Sequence, residues 1–168
     1  MLSVIVPVHN GSDYLDRCLE AIRKSEFAGY ECIVVDDGST DDTRAIAESS
    51  GVTLLSLPHG PHGPAYARNA GAQAATHELL FFVDADVLIR PDTLGHIVDT
   101  FRNEPDLAAI FGSYDESPAA RNFVSQYKNL AHHFVHQRGH ADAATFWSGC
   151  GAIRRAIFNR LGGFDAAR

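Results

Sequence analysis

The chain lacks most of what would mark an extracellular, membrane-spanning or nucleic-acid-binding protein. Its 168 residues hold only three cysteines, Cys18, Cys32 and Cys150, an odd number at wide spacing with no paired-cysteine motif. That pattern excludes a disulfide framework and a cysteine zinc site, and it leaves reduced, mostly buried thiols. No apolar run approaches the roughly 20 residues of a membrane-spanning helix. The first apolar run begins at Leu2, which leaves no room for a signal peptide, so the cytoplasm is the expected compartment.

Positive charge is also scarce. The net charge is -7, the wrong sign for a nucleic-acid surface. The shortage is local: residues 1–120 hold seven Lys/Arg against 19 Asp/Glu, whereas residues 121–168 hold seven against two. The basic tail reads either as solvated helix faces or as a surface for anionic acceptors or lipid headgroups, the second implying peripheral contact with the inner face of a membrane. No G-x-G-x-x-G turn follows the first strand, which argues against dehydrogenase-type dinucleotide binding.

What is present is the alternation of an α/β domain, and 168 residues suffice for one such core. Leu2 to Val8 is a β-rich run ending in the turn cluster Pro7-Val8-His9-Asn10-Gly11. A helix follows, with Ser12 as its expected cap and Tyr14, Leu15, Cys18, Leu19 and Ile22 at helical spacing. Glu31 to Val35 is a second strand ending in Asp36-Asp37-Gly38-Ser39, with a helix starting near Thr40. Asp41 and Asp42 occupy the positive end of that helix, which makes it a poor phosphate cradle. Val52 to Leu57 reads as a third strand. The proline-rich loop 58–64 and a helix over 65–75, bearing Arg68 and Asn69, come next.

Leu79 to Val83 is an unbroken apolar run, the signature of a strand buried on both faces. It ends in Asp84-Ala85-Asp86. Carboxylates this close repel unless a cation or donors lie between them, and a divalent metal carrying a phosphate is the simplest such partner. Leu94, Ile97, Val98 and Phe101 mark a helix, and Leu107 to Phe111 a strand. A long helical pattern over 119–138 ends at Gly139, with His132, His133, His136 and His140 on or just beyond it; their i, i+4 spacing admits two imidazoles on one metal, or ordinary polar and packing roles. Thr145 to Trp147 is a short strand candidate, 148–151 a tight turn, and 154–161 a final helix.

The sheet edge therefore collects His9 and Asn10, Asp36 and Asp37, and Asp84 and Asp86. Asp37 can accept hydrogen bonds from a base N–H or a ribose hydroxyl. Asp86 suits a hard cation, magnesium or manganese, and Arg68 offers a permanently charged fork nearby.

Five segments in this order resemble the family 2 glycosyltransferases: Ser3-Val4-Ile5-Val6-Pro7-Val8-His9-Asn10, Val34-Val35-Asp36-Asp37-Gly38-Ser39-Thr40-Asp41, Ala67-Arg68-Asn69-Ala70-Gly71, Phe82-Val83-Asp84-Ala85-Asp86 and Leu161-Gly162-Gly163-Phe164-Asp165. The resemblance implies a GT-A fold, a Rossmann-like and mostly parallel sheet flanked by helices and truncated at its C-terminus. It implies transfer of a sugar from a nucleotide-diphosphate donor to an acceptor hydroxyl with inversion. Pro7, Val8, His9, Asn10, Asp37 and Arg68 match donor-binding positions, and Asp84-Ala85-Asp86 matches the metal triplet, with His9 where the family often has an aromatic residue. Residues 1–90 would form the donor half and 91–168 the start of the acceptor half, with Trp147, Ser148 and Gly149 the candidate acceptor lining. The acceptor would be a saccharide or a lipid-linked one. The family's catalytic base comes from an acidic pair expected beyond Arg168, so the chain is expected to be the donor-binding part of a longer enzyme.

Other readings weaken on chain order. A haloacid dehalogenase-type phosphatase places its Asp-x-Asp strand first, and no lysine ends a last strand as in a receiver domain. A non-catalytic nucleotide-sugar module shares the donor residues and stays open.

Overall fold

The computed structural model describes residues 1–113 and 146–166. Six strands form one sheet in the order β3-β2-β1-β4-β6-β5: β1 (Leu2–Val8), β2 (Tyr30–Asp36), β3 (Thr53–Ser56), β4 (Leu79–Val83), β5 (Ala109–Phe111) and β6 (Cys150–Arg154). β1 pairs in parallel with β2 and β4, and β2 with β3. β6 runs antiparallel to β4, and β5 antiparallel to β6. The sheet is thus mixed and mostly parallel.

Alternation along the strands builds two cores. Val4, Val6, Phe81 and Val83 face α1 (Leu15–Arg23) and α4 (Thr93–Asn103). Ile5, Val35, Leu80 and Phe82 face α3 (Pro64–Ala74), while Phe158 joins them from α5 (Arg155–Arg160). α2 (Thr43–Ser49) contributes Ala47 to the first core. β1 and β4 are buried along their whole length, as expected of strands covered on both sides. Leu94, Ile97, Val98 and Phe101 form the buried stripe of α4, as their spacing implies. Among the described residues no helix is long and apolar enough to cross a membrane.

The chain adds β2 and β3 on one side of β1 and then β4 on the other, so the order of strand addition reverses at β1. Such a switch point opens a crevice at the carboxyl ends of the strands. The opening is widened because the β1–β4 ladder ends at Ile5 and Phe82, three residues before the end of β1. Pro7, which has no N–H to donate, lies beyond that ladder.

Two local readings need correction. α1 begins at Leu15 with no side-chain cap; the Ser12 amide instead donates to Asp41 Oδ2 at 3.0 Å. Phe146 and Trp147 lie in no strand, and the tight turn covers only 148–149. The final strand starts at Cys150, where a run of small residues imitates a longer turn. Gly151 is needed there because a Cβ would lie 2.5 Å from the Trp147 carbonyl oxygen and 2.7 Å from the Phe146 ring. The helical pattern over 119–138, with its four histidines, lies outside the described residues.

Glycines in α3 and α4 make opposite demands. A Cβ on Gly71 would approach Ile5 Cγ2 to 2.4 Å and Val35 Cγ2 to 3.0 Å, whereas one on Gly95 would meet nothing nearer than Phe27 Cβ at 4.0 Å. Overpacking costs about 1–3 kcal/mol and outweighs the helix-propensity gain of roughly 1 kcal/mol. Urea unfolding should therefore show Gly71→Ala destabilised, and Gly95→Ala stabilised by about 0.5–1 kcal/mol; equal effects would contradict this packing.

Candidate functional site

Charge enters this apolar sheet at its carboxyl edge. Pro7, Val8, His9, Tyr14, Asp37, Arg68, Asp84, Ala85 and Asp86 line one cavity of about 400 Å³, together with Pro61, Gly63, Pro64 and Ala67. Of the donor and metal positions expected from sequence, only Asn10 is not on this wall. Its amide oxygen accepts from the Thr40 N–H at 2.9 Å, and its own N–H donates to Ser39 Oγ at 2.9 Å, so it ties the turn after β1 to the turn after β2.

His9 is held by both ring nitrogens. Nδ1 lies 2.9 Å from the Asp37 carbonyl oxygen, which only accepts, so Nδ1 carries the proton. Nε2 then accepts from Asn10 Nδ2 at 3.1 Å. The ring is fixed in orientation and exposed at the cavity wall.

Asp37 is only 3% exposed. Its carboxylate accepts the His62 N–H at 2.8 and 2.9 Å and the Gly63 N–H at 2.7 Å. These amides lie at the start of α3, where the helix dipole favours an anion. A carboxylate offers about four acceptor positions, so Asp37 pins loop 58–64 and retains capacity for a ligand donor. Gly60 is packed too tightly for a side chain: a Cβ would sit 2.7 Å from the Asp37 carbonyl oxygen.

Asp36, grouped with the edge in the sequence, is turned inward instead. It is fully buried and accepts from Arg44 Nε and the Ser39 N–H, each at 3.0 Å. Asp41 accepts from the Thr43 hydroxyl, which holds its carboxyl well below the usual range. That bond occupies the start of α2, in keeping with its unsuitability for phosphate.

Arg68 is buried, with 9% of its surface exposed. Its Nη2 pairs with Asp84 Oδ1 at 2.5 Å, and its buried Nε has no acceptor among the described residues. Asp86 differs: it is exposed, with no hydrogen bond or ion pair to the described residues. From the far end of the chain, the Gly149 carbonyl accepts the Asp84 N–H at 2.9 Å. A Cβ on Gly149 would lie 2.9 Å from Asp84 Oδ2 and 2.8 Å from Trp147 Nε1. The glycine keeps the space beside the second Asp84 oxygen open.

These residues fit a divalent cation carrying an anionic ligand. Asp86 is an uncommitted oxygen ligand, Asp84 has one oxygen outside the Arg68 pair, and Arg68 Nε lacks the acceptor that a phosphate oxygen would supply. No group of three His, Cys, Asp or Glu able to hold a metal occurs among the described residues, so ligand or water oxygens would complete the shell.

Sequence reasoning missed Tyr14, Pro61 and Pro64 as wall residues. The spacing of Tyr14 places it in the helical stripe, but it stands one residue before α1 and is 37% exposed. The cluster Pro7-Val8-His9-Asn10-Gly11 was the available signal, since a turn after a strand turns the next side chains toward the edge.

Of the three thiols, Cys18 is buried and Cys32 and Cys150 are half-buried. Burial pushes Cys18 up to about 12, with Cys32, Asp86, Asp84 and Cys150 adding to the shift. Burial likewise raises Cys32 to about 12 and Cys150 to about 11.

The sequence model of the family described as Glycosyl transferase family 2 matches residues 3–162. GlyG, a glycosyltransferase of Streptococcus pneumoniae serotype 4, is 32% identical over 125 residues, which are 70% of this chain and 41% of that protein. The mannosyltransferase PcManGT from Pyrobaculum calidifontis, solved with GDP-Man and Mn2+, superposes with a TM-score of 0.74 at 26% identity, covering 98% of this chain and 47% of that one. TarS 1-349 of S. aureus, solved with UDP, superposes with a TM-score of 0.77 at 23% identity, covering 99% and 50%. The chain thus spans two fifths to one half of the length of these proteins.

Asp37→Asn places an amide donor against the His62 and Gly63 N–H groups. It should cost about 1–3 kcal/mol in urea unfolding and expose loop 58–64 to limited proteolysis; unchanged values would mean the loop is held otherwise. At pH 8, Ellman's reagent should titrate the native thiols on the order of a hundredfold more slowly than those of the urea-unfolded chain. Similar rates would contradict the shielding of all three.

Proposed function

The chain belongs to glycosyl transferase family 2, and we propose that it binds a nucleotide-diphosphate sugar for transfer to an acceptor hydroxyl with inversion at the anomeric carbon. The carrying observation is the convergence of Asp37, Arg68, Asp84 and Asp86 on one cavity at the sheet's switch point. In this reading Asp37 accepts from the base or ribose, while Pro7, Val8 and the fixed ring of His9 pack against the nucleoside. Arg68 faces the diphosphate, its Nε taking a phosphate oxygen as acceptor. Asp86 and the free oxygen of Asp84 hold magnesium or manganese, which when bound neutralises charge on the leaving diphosphate. The sugar's bond to the diphosphate breaks, its bond to the acceptor oxygen forms, and the acceptor proton passes to a base. We assign that base to none of the cavity residues.

The known complexes of relatives support a divalent metal and do not favour one base, since PcManGT was solved with GDP-Man and Mn2+ and TarS with UDP-GlcNAc. We further propose that residues 1–90 carry the donor half and 91–168 begin the acceptor half, with Trp147, Ser148 and Gly149 at the junction beside Asp84. The excess of Lys/Arg in 121–168 favours an anionic acceptor, such as a lipid-linked phosphate at the inner membrane face.

Thermal unfolding of the chain with UDP or GDP, each with and without manganese, tests the reading. A ligand at about 100 times its Kd adds roughly 2.7 kcal/mol. The expected result is a metal-dependent rise with one nucleotide, lost in Asp86→Ala. No rise with either nucleotide would overturn the proposal for this chain.

A further inference from the structure

Two segments 95 residues apart meet behind the cavity. Asn69 Nδ2 donates to the Phe164 carbonyl at 2.8 Å, and Asn69 Oδ1 accepts the Phe164 N–H at 2.9 Å. This two-way bond holds the backbone of Phe164 as a partner strand would. Gly163 makes the approach feasible: its φ is 79°, and a Cβ would lie 2.7 Å from Asn69 Oδ1. The Phe164 ring then packs 5.1 Å from Phe82 and 5.4 Å from Phe158, centroid to centroid, at steep angles. The guanidinium carbon of Arg68 lies 5.8 Å from the same ring centroid. Neither Asn69 nor Phe164 lines the cavity.

We infer that Asn69 is a positioning residue for the donor site, fixing Phe164 as the platform that holds Arg68 on Asp84. The need for a platform follows from Arg68 itself. Its side chain has several rotatable bonds, a buried Nε without an acceptor among the described residues, and an ion-pair contact with Asp84. An arginine so placed gains by turning toward water unless something closes its other side. The face of Phe164 does so, with the attraction of a cation for a ring. Asn69 and Arg68 are consecutive on α3, so one helix sends one side chain to the site and the next to the support beneath it. The chain leaving Asp165 consequently starts from a point fixed relative to the donor site.

A purely structural staple would affect stability alone, so the test reads Arg68 directly. In 15N–1H spectra of the 168-residue chain, the Arg68 Nε–H should exchange slowly with solvent because it is buried. Asn69→Ala and Phe164→Ala should each speed that exchange by about tenfold or more. Leu94→Ala, on the opposite face of the sheet, should lower the melting temperature and leave the Arg68 signal protected. In a second arm, the Kd for the manganese complex of whichever nucleotide the wild type binds should rise about fivefold or more in Asn69→Ala and stay unchanged in Leu94→Ala. Only this arm rests on the donor-site reading: if the wild type binds neither UDP nor GDP, that reading fails and the Arg68 signal still decides the clamp. Protection of Arg68 that survives Asn69→Ala, or is lost equally in Leu94→Ala, would overturn the inference.

Discussion

A guanidinium almost wholly out of water, paired with one carboxylate oxygen, is the constraint on which the rest of this site depends. Arg68 cannot neutralise itself by losing a proton, and a buried charge deprived of its partner costs about 3–5 kcal/mol. Asp84 supplies the counter-charge, and the Phe164 ring closes the opposite side. The same pair leaves a demand unmet, since Nε is buried without an acceptor among the described residues. A site held together by one ion pair and one missing acceptor is ready for an anion.

The fold explains why this charge can exist in an otherwise apolar molecule. β1 and β4 are buried throughout, and their ladder ends before either strand meets its loop. Polar residues therefore appear together just past the ladder, where the order of strand addition reverses. The helices act in opposite ways there. The start of α3 gives its amides to Asp37, while the start of α2 is occupied by Asp41. Asp86 alone among the edge carboxylates has no partner among the described residues, which suits it to a metal. A family 2 sequence thus divides three carboxylates at one edge among loop anchoring, charge pairing and exposure.

Much of this was legible from residues alone. Leu79 to Val83 could be a strand because nothing polar interrupts it, and Asp84 and Asp86 were conspicuous because they end it. The stripe of α4 followed from spacing. β6 was not legible, because serine and the two glycines in Ser148-Gly149-Cys150-Gly151 carry turn propensity, whereas in the fold the glycines make room for Phe146, Trp147 and Asp84. The inward turn of Asp36 was hidden because its partner, Arg44, lies on the following helix. The partners of Asp37 were hidden for another reason: they are backbone amides of a loop, and no side-chain pattern announces them. The two-way bond between Asn69 and Phe164 joins two motif segments that stand far apart in the sequence.

The proposed function requires this edge to bind a nucleotide diphosphate with a divalent cation at Asp86. The most direct measurement is a crystal structure of the chain with manganese and UDP or GDP, using anomalous scattering to locate the metal. A manganese peak should lie within coordination distance of an Asp86 oxygen, with the diphosphate between it and Arg68 in the cavity bounded by Asp37. Nucleotide bound elsewhere, or manganese away from Asp86 with the diphosphate out of reach of Arg68, would contradict it.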